Sequence, residues 1–279
     1  MSHILLSGNR GFIGSHVESE LQKQGHKVFG LDVKTSWTAN ILLQLIEYDF
    51  EHYNIDYVIH LAALKSVGES MLNPMEYNHN NINGTVNLLQ LAKKYNVKKL
   101  IFASSAAVYG DSYPNTKPLS PYGLTKLVGE QYCEMLKVPY VALRYFNVFG
   151  EGTNEGVIPH FIKCALKNEP LKINGDGKNI RDFVYVGDIV KANISACFNL
   201  KVVNKIYDVG SSAVSIKNLA KLIIKLTNSK SKIEYLPPVE GDIVTSVANN
   251  LPISKDLNFY PSVSLKEGLI KTINWIKNG

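Results

Sequence analysis

Residues 3–32 hold a strand pattern, a glycine-rich turn, a helix pattern, a second strand pattern and an acid, and this order restricts the fold more than any other feature. The apolar run at 3–7 leads into Gly8-Asn-Arg-Gly-Phe-Ile-Gly14, and the second strand pattern closes on Asp32. Glycines in such a turn let the backbone approach a pyrophosphate, which binds at the helix N-terminus. The unit therefore predicts dinucleotide binding. Asp32 is expected to accept hydrogen bonds from ribose hydroxyls, which favours NAD over NADP.

Strand and helix patterns keep alternating after this unit. Apolar runs of strand length occur at 56–63, 98–105 and 140–150, and helix patterns occur at 41–52 and 75–95. Strands that alternate with helices are typical of a parallel, doubly wound sheet.

The pattern changes after about Gly150, where glycine- and asparagine-rich turns separate shorter elements. We therefore predict an α/β fold, namely a Rossmann-type doubly wound parallel sheet with a smaller α/β substrate-binding lobe interleaved at the C-terminus. The predicted domains are 1–150, which also takes back part of 182–210, and 151–279.

Three residues form a candidate catalytic group. Ser105 ends the strand pattern KKLIFASS, and Tyr122 and Lys126 lie one helical turn apart in a helix that starts near Pro121. A neighbouring ammonium stabilises a phenolate and lowers its pKa, so Tyr122 is predicted to act as a general base or acid, with the serine as a relay. The alternative is a surface pair, because Tyr-x-x-x-Lys also arises by chance on exposed helix faces.

Composition and charge argue against several other classes. The net charge is +6, but the lysines are scattered, so nucleic acid is not an expected partner. Cys133, Cys164 and Cys197 are isolated and lack metal-ligand spacing, which predicts reduced thiols and no metal. No apolar run reaches the ~18 residues of a membrane span, and no signal peptide is expected. We therefore predict a cytoplasmic protein.

Several motifs in a fixed order carry a family resemblance. With these motifs the chain resembles the extended short-chain dehydrogenase/reductase family and, within it, UDP-sugar 4-epimerases of the UDP-galactose 4-epimerase type, which also include UDP-glucose and UDP-N-acetylglucosamine epimerases. The motifs are GNRGFIGSH at 8–16, HLAALKSVGES at 60–70, PMEYNHNNINGT at 74–85, SSAAVYGD at 104–111, SPYGLTK at 120–126, LRYFNVFG at 143–150, RDFVYVGD at 181–188 and YDVGS at 207–211.

The resemblance implies roles for individual residues. Ser105, Tyr122 and Lys126 match the catalytic residues, and 1–150 becomes the NAD-binding domain and 151–279 mainly the nucleotide-sugar lobe. The positions that match NAD contacts, beside Tyr122 and Lys126, are Gly8, Gly11, Phe12, Ile13, Gly14, Asp32, Asp49, Phe50, Leu61, Ala62, Ala63, Lys65, Asn80 and Phe146. The positions that match substrate contacts, beside Ser105 and Tyr122, are Lys65, Asn147, Val157, Arg181, Asp242 and Ser246.

The implied reaction is an NAD-dependent 4-epimerisation of a UDP-sugar. Tyr122 takes the proton of the 4-hydroxyl while C4 is transiently oxidised by NAD, the 4-keto sugar rotates, and the hydride returns to the opposite face. Because the net redox change is zero, NAD is expected to stay tightly bound and not be consumed. Relatives of this type are often homodimers through helices at about 80–95 and 122–136, and Leu88, Leu89 and Leu91 are compatible with such a contact.

Two alanines distinguish the chain from other enzymes of this family. Nucleotide-sugar 4,6-dehydratases carry an Asp-Glu pair directly after the residue that matches Ser105, and UDP-glucuronate decarboxylases usually carry a glutamate at the second position. Ala106 and Ala107 stand there in this chain and cannot transfer protons. The epimerase interpretation is favoured over a nucleotide-sugar 4-keto reductase, which would need exchangeable NADPH, and over a non-catalytic NAD-binding regulator, which would not need Tyr122 and Lys126.

The chain also departs from the family pattern. The segments between Asp32 and Asp49 and at 111–119 are short. Val239 stands where relatives usually place a diphosphate-binding arginine, so we expect weaker substrate binding unless a nearby lysine substitutes. Ser246 aligns with a bulky tyrosine of glucose/galactose-restricted epimerases. The smaller residue predicts that UDP-GlcNAc and UDP-GalNAc are accepted as well as UDP-Glc and UDP-Gal.

Overall fold

The computed structural model describes residues 1–32, 47–239 and 241–278. A six-stranded sheet has the order β2-β1-β3-β4-β5-β9, and the neighbouring strands from β2 to β5 in this order pair in parallel. The predicted Rossmann-type parallel sheet is confirmed. The strands of this sheet are β1 (His3–Ser7), β2 (Lys27–Leu31), β3 (Tyr57–His60), β4 (Lys99–Ser105), β5 (Tyr140–Tyr145) and β9 (Lys205–Val209).

The strand order reverses at β1, because β2 lies on one side of it and β3 on the other. In open α/β sheets the crevice at such a switch point binds ligands at the carboxyl ends of the strands. Here these ends are Ser7 and His60, which are register partners. The segments that follow β1 and β3, from Gly8 and from Leu61, therefore start side by side.

The helices follow the predicted pattern closely. Residues 47–53 are helical, in agreement with the predicted helix at 41–52, whose first part lies outside the described residues. The other α-helices are α1 (Phe12–Lys23), α2 (Val67–Leu72), α3 (Pro74–Tyr77), α4 (Gly84–Lys94), α5 (Pro121–Met135), α6 (Val157–Leu166), α7 (Val186–Phe198), α8 (Ile216–Thr227), α9 (Leu251–Leu257) and α10 (Leu265–Asn278).

Helix α5 begins where the sequence predicts. Ser120 accepts a 3.1 Å hydrogen bond from the Gly123 amide as the N-cap, and Pro121 occupies the first helical position. Both features satisfy or remove amide donors that have no partner inside a helix. They fix the start of the helix, so Tyr122 lies in its first turn.

The segment predicted as one helix at 75–95 is helical but not uniform. A π-helix (Asn78–Asn83) connects α3 to α4. The wider turn of a π-helix rotates the side chains that follow it, and such turns are frequent at functional sites. The asparagines that look unsuitable for an α-helix interior lie in this turn.

The chain divides into two compact units. The first comprises Met1–Tyr145, Val190–Asp208 and Asn250–Phe259, and the second Phe146–Ile189, Val209–Asn249 and Tyr260–Gly279. In the second unit β8 (Ile180–Tyr185) pairs with β6 (Asn147–Phe149), β10 (Ser212–Ser215) and β12 (Thr245–Ser246), while β7 (Leu171–Asn174) pairs with β11 (Ile233–Leu236). The functional roles predicted for the two domains stay predictions.

The core of the first unit corrects one expectation. Leu88 and Leu89 are 3% and 0% exposed and pack in the cluster that also holds Leu100 and Phe102. They cover the sheet, so they are not available for the contact between two copies that the sequence allowed.

None of the helices in the part of the chain that the structure describes has the length and the apolar character needed to span a membrane.

Candidate active site

The glycine-rich turn after β1 is shaped by steric need. Gly8 has a φ of +77°, and a Cβ there would lie 2.7 Å from the Ala62 amide nitrogen. A Cβ on Gly14 would lie 2.0 Å from the Gly8 carbonyl oxygen. Glycine at these two positions keeps the turn free of side chains. The backbone at the start of α1 can therefore approach a ligand closely.

The start of α1 suits an anion. Its N-cap, Gly11, provides no side-chain hydrogen bond to the first turn, and the first turn contains no acidic residue. The free amide groups and the helix dipole therefore favour a negative charge. Next to the turn, the Arg10 amide donates a 3.1 Å hydrogen bond to a carboxylate oxygen of Asp32, which brings this acid to the end of β1. These groups fit the diphosphate and ribose of NAD.

A buried chain of hydrogen bonds supports the ends of β1 and β3. His60 Nδ1 lies 2.6 Å from the Ser7 hydroxyl and Nε2 lies 2.9 Å from the Thr85 hydroxyl. Burial, with a smaller effect of the Lys126 charge, lowers the pKa of His60 to about 3. His60 is therefore neutral near pH 7, and its two hydrogen bonds connect β3 to β1 and to α4.

Asn81 holds the loop after β3 in place. No role for this residue was predicted from the sequence. Its side chain accepts a 2.9 Å hydrogen bond from the Leu64 amide and donates one of 2.9 Å to the Leu64 carbonyl. It also donates a 3.1 Å hydrogen bond to the Thr125 hydroxyl on α5. The loop that contains Leu61–Lys65 is thereby fixed to the helix that carries Tyr122. The run of asparagines in a helical pattern was the available signal, but it did not indicate which one is buried.

Ser105 and Tyr122 are brought together as predicted. The Ser105 hydroxyl interacts with the Tyr122 hydroxyl, and Ser105 accepts a 3.1 Å hydrogen bond from the Ala107 amide. Burial raises the pKa of Tyr122, and the interaction with Ser105 opposes this rise. The pKa of Tyr122 is therefore raised and not lowered as expected, because desolvation of the phenolate outweighs the interaction with Ser105.

Lys126 is turned towards the sheet. Its ammonium donates a 2.8 Å hydrogen bond to the Ala103 carbonyl and lies 5.2 Å from the centre of the Phe102 ring. The residue is 5% exposed, and burial lowers the pKa of Lys126 to about 8, although Glu130 acts in the opposite direction. A surface pair is thus excluded. The ammonium lies in a desolvated position directly beside the strand that ends at Ser105.

The surroundings of the other predicted cofactor contacts differ from one residue to the next. Phe50 is 2% exposed and stacks on Tyr95 in the core, so its side chain has a packing function. Asp49 is partly buried, which raises its pKa. Asn80 is exposed and donates a 2.9 Å hydrogen bond to the Glu76 carbonyl. Phe146 belongs to the second unit and Lys65 is exposed.

The second unit collects four of the predicted substrate residues around β8. Arg181 donates a 2.5 Å hydrogen bond to Asp242 and one of 2.5 Å to the Ile243 carbonyl. Ser246 is the register partner of Arg181 on β12. Asn147 on β6 donates a 2.8 Å hydrogen bond to the Asp182 carbonyl. Val157 is half-buried at the start of α6, so it is not part of this strand cluster.

A cleft of about 800 Å³ lies in the second unit, and Asp242 lines it. The residues Val239, Lys178, Lys217 and Tyr235 also line this cleft, and the Lys217 ammonium lies 5.7 Å from the centre of the Tyr235 ring. Lysines therefore do lie near the valine that replaces the expected arginine.

Residues 4–210 match the NAD dependent epimerase/dehydratase family. A putative UDP-glucose 4-epimerase of Methanocaldococcus jannaschii is 36% identical, with 99% of this chain and 98% of that protein aligned. A UDP-glucuronate 4-epimerase of Thermodesulfobacterium geofontis is 34% identical over 99% and 97% of the two chains. A UDP-N-acetyl-alpha-D-glucosaminuronate decarboxylase of Bacillus cytotoxicus is also 34% identical, over 98% and 97%.

Solved structures agree with these relatives. The UDP-glucose 4-epimerase of Thermotoga maritima with UDP-glucose superposes with a TM-score of 0.91 at 32% identity, covering 99% of each chain. The Thermus thermophilus UDP-glucose 4-epimerase in complex with NAD gives a TM-score of 0.86 at 28% identity, again over 99% of each chain. The match over most of the chain, together with the glycine turn that fits a dinucleotide, identifies this protein as a member of the NAD dependent epimerase/dehydratase family with NAD as its cofactor.

Proposed function

We propose that this protein interconverts the C4 epimers of a UDP-sugar. The observation that carries the proposal is the placement of the Ser105 hydroxyl against the Tyr122 hydroxyl, with the buried ammonium of Lys126 one helical turn away. Ala106 and Ala107 follow Ser105 in a short 3₁₀ helix, so no acid or base for elimination of water stands at these positions. A proton-transfer group without such an additional acid or base suits a reversible oxidation at C4.

The protein residues handle the proton. Tyr122 acts in its phenolate form, the minor form near neutral pH because burial raises its pKa: the phenolate receives the proton of the sugar 4-hydroxyl, directly or through Ser105, and returns it when the hydroxyl is formed again. NAD, when bound, supplies reversible hydride transfer at C4. Lys126 contributes a fixed positive charge that favours the deprotonated state of Tyr122 during transfer, against the effect of burial. Since the two half-reactions cancel, we propose that NAD stays tightly bound through turnover.

The second unit is proposed to bind the nucleotide diphosphate. Arg181 has a guanidinium fork, which matches phosphate oxygens as well as the carboxylate of Asp242. Asn147 and Val157 keep their proposed substrate contacts, and Asp242 is proposed to bind a sugar hydroxyl of the nucleoside. Lys178 and Lys217 line the same cleft as Val239, which supports the idea that a lysine partly replaces the usual arginine.

The preferred sugar is proposed from Ser246. A serine at this position, adjacent to Arg181 across the sheet, leaves room for a 2-acetamido group. We propose that UDP-GlcNAc and UDP-GalNAc are accepted beside UDP-Glc and UDP-Gal. UDP-glucuronate is the competing substrate, because one of the similar proteins is a UDP-glucuronate 4-epimerase.

Assembly and location complete the proposal. We propose a homodimer through α4 and α5, and on α5 the exposed apolar residues Leu124 and Met135 support this contact. The free cysteines Cys133, Cys164 and Cys197 are compatible with a reducing cytoplasm. A mass measurement in solution tests the first statement, and cell fractionation tests the second.

The decisive experiment incubates the purified full chain with UDP-Glc, UDP-Gal, UDP-GlcNAc, UDP-GalNAc and UDP-glucuronate, without added NAD, and separates the C4 epimers. Interconversion without added cofactor is expected. Release of CO₂ from UDP-glucuronate would instead favour a decarboxylase. Turnover only with added NADPH and a 4-keto sugar would favour a reductase, and no turnover with any cofactor would favour a regulator.

A further inference from the structure

Three consecutive residues of β4 contact three residues spaced by four along α5. The Ala103 carbonyl accepts a hydrogen bond from Lys126, the Ser104 hydroxyl donates one to Glu130, and the Ser105 hydroxyl interacts with that of Tyr122. Two of these contacts belong to the candidate catalytic residues. The middle contact, between Ser104 and Glu130 at 2.5 Å, has no role in the reaction proposed above.

Glu130 is a buried carboxylate that accepts three hydrogen bonds, two of them from the Arg144 guanidinium. It is 3% exposed, and besides Ser104 it accepts hydrogen bonds from Arg144 Nε at 2.8 Å and from Arg144 Nη2 at 2.6 Å. Ser104 and Arg144 are register partners on β4 and β5, so the carboxylate of α5 is fixed to two strands at one level. Bidentate pairs of this kind are among the strongest hydrogen-bonded contacts.

We propose that Glu130 is a positioning residue, whose carboxylate keeps Lys126 in its charged form and holds α5 so that Tyr122 stays against Ser105. This inference rests on the proposed function, because it assigns Glu130 a part in that reaction without contact to the substrate. The spacing supports it, since Glu130 lies one helical turn after Lys126 and two turns after Tyr122 on the same helix face.

The charge of Lys126 needs such support. Its ammonium is buried and has one backbone carbonyl, Ala103, as its hydrogen-bond acceptor among the contacts of the described residues. Burial disfavours a cation, whereas a carboxylate one turn away favours it. Burial and Glu130 act on the pKa of Lys126 in these opposite directions, and the result is about 8.

The other polar groups around Lys126 do not replace this carboxylate. His60 on β3 is neutral near pH 7, and the positive charge of Lys126 contributes to the lowering of its pKa. Ser104 and Ser105 on β4 and Tyr122 on α5 are uncharged near neutral pH. Arg144 on β5 is a cation and would disfavour a second positive charge if Glu130 were neutral.

Other side chains lie around Glu130 and its partner Arg144. Cys133 on α5 and Tyr140 on β5 both sense its negative charge, which adds to burial in raising the pKa of each. On the far side, the Arg144 guanidinium lies 4.7 Å from the centre of the Tyr109 ring, and Tyr109 donates a 2.6 Å hydrogen bond to Asp208. Arg144 therefore has a second contact, the Tyr109 ring, besides Glu130.

The test measures the protonation of Lys126 directly. The full chain is produced with ¹³C-labelled lysine, the Lys126 signal is assigned from its loss in Lys126→Met, and its pH titration is followed by NMR in the wild type and in Glu130→Gln. We expect the wild-type midpoint near 8 and a shift to lower pH by about 1 unit or more in the variant, the usual effect of removing a close opposite charge. An unchanged midpoint would overturn the proposal.

Turnover gives a second readout. In Glu130→Gln the alkaline limb of kcat is expected to move to lower pH by the same amount, with KM for the UDP-sugar little changed. A residue with only a structural role would reduce the yield of folded enzyme and leave this limb in place. Asp188→Asn is the matched control, because it neutralises another fully buried carboxylate, one that accepts hydrogen bonds from the Ser262 and Val263 amides, and is expected to leave the limb unchanged.

Two complications are covered by design. Should Glu130→Gln not fold because Arg144 is left unpaired, the double variant Glu130→Gln/Arg144→Gln is compared with Arg144→Gln alone, so that the two proteins differ only in the Glu130 charge. Equal Lys126 midpoints in these two variants would contradict the proposal, and a lower midpoint in the double variant would support it. If the wild type turns over no UDP-sugar, the proposed function fails, and the titration still decides the role of Glu130.

Discussion

Asn81 and the backbone of Leu64 are joined by two hydrogen bonds of 2.9 Å, one in each direction. The amide side chain thus forms with Leu64 the pair of backbone hydrogen bonds that a neighbouring strand would otherwise form. The same amide reaches Thr125 on α5. The loop that enters the switch point and the helix with Tyr122 are therefore held by one buried side chain.

Replacing Asn81 by alanine should damage both elements. Asn81→Ala leaves the Leu64 amide and carbonyl without their partner, and each unsatisfied buried group costs about 1–3 kcal/mol. We expect a lower free energy of unfolding in urea and a loss of bound NAD. The control is Asn83→Ala, at an exposed position of the same π-helix. An equal loss in both variants would show that Asn81 has no special role in holding the loop.

Tyr122→Phe removes the proposed proton-transfer group and little else. We expect kcat for epimerisation to fall by about 10²–10⁴-fold, the usual contribution of a general acid or base. NAD content should stay at the wild-type level. Tyr132→Phe, the same change further along α5, should retain turnover. Retention of turnover in Tyr122→Phe would remove this residue from the mechanism.

Epimerisation should depend on pH through Lys126. The pKa of Lys126 is about 8 in the folded protein, and the proposed mechanism needs the ammonium. Activity should therefore fall as pH rises through about 8. A pH profile of kcat measures this, and Lys126→Arg, which stays charged at these pH values, should lack the alkaline limb in whatever activity it retains. A profile that is flat up to pH 10 would contradict the assignment.

The same group has a consequence for stability. The unfolded chain holds the Lys126 proton up to a pKa of about 10.4, whereas the folded protein releases it near 8. The unfolded state therefore binds more protons between these values, and the contribution of this residue to the free energy of unfolding should rise with pH there. Urea unfolding of the wild type and of Lys126→Met at pH 7 and pH 10 measures this contribution as the difference between the two proteins in free energy of unfolding. The difference should change between the two pH values, and a difference that does not change would show that Lys126 titrates normally.

Gly14→Ala tests the close approach in the glycine turn. The added Cβ would lie 2.0 Å from the Gly8 carbonyl oxygen, so α1 has to move. We expect a loss of about 1–3 kcal/mol in stability and of most bound NAD. Gly84→Ala is the control in α4, where a Cβ meets no atom within 4 Å, and it should stabilise the protein slightly. Thermal unfolding and the NAD content of the purified variants provide the measurements.

Ser246→Tyr tests the proposed sugar preference. The larger ring should exclude a 2-acetamido group, so turnover of UDP-GlcNAc should fall by at least about 10-fold while that of UDP-Glc is retained. Thr245→Tyr, at the exposed neighbouring position of β12, should change the ratio little. Equal loss with both substrates would argue that Ser246 does not select the sugar.

The sequence by itself determined the sheet, the glycine turn with Asp32, the start of α5 at Pro121 and the pairing of Ser105 with Tyr122. These features depend on local spacing and on steric needs that a motif records directly. Alternation of strands and helices permits few topologies, so the class of fold followed as well.

Tertiary structure decided what burial controls. It placed Leu88 and Leu89 in the core, selected Asn81 from a run of asparagines and turned Lys126 towards Ala103. It also reversed the expected direction of the Tyr122 pKa, because desolvation exceeds the effect of nearby polar groups. A pKa and a buried hydrogen bond depend on neighbours that are distant along the chain, and their positions are fixed only when the strands and helices pack together.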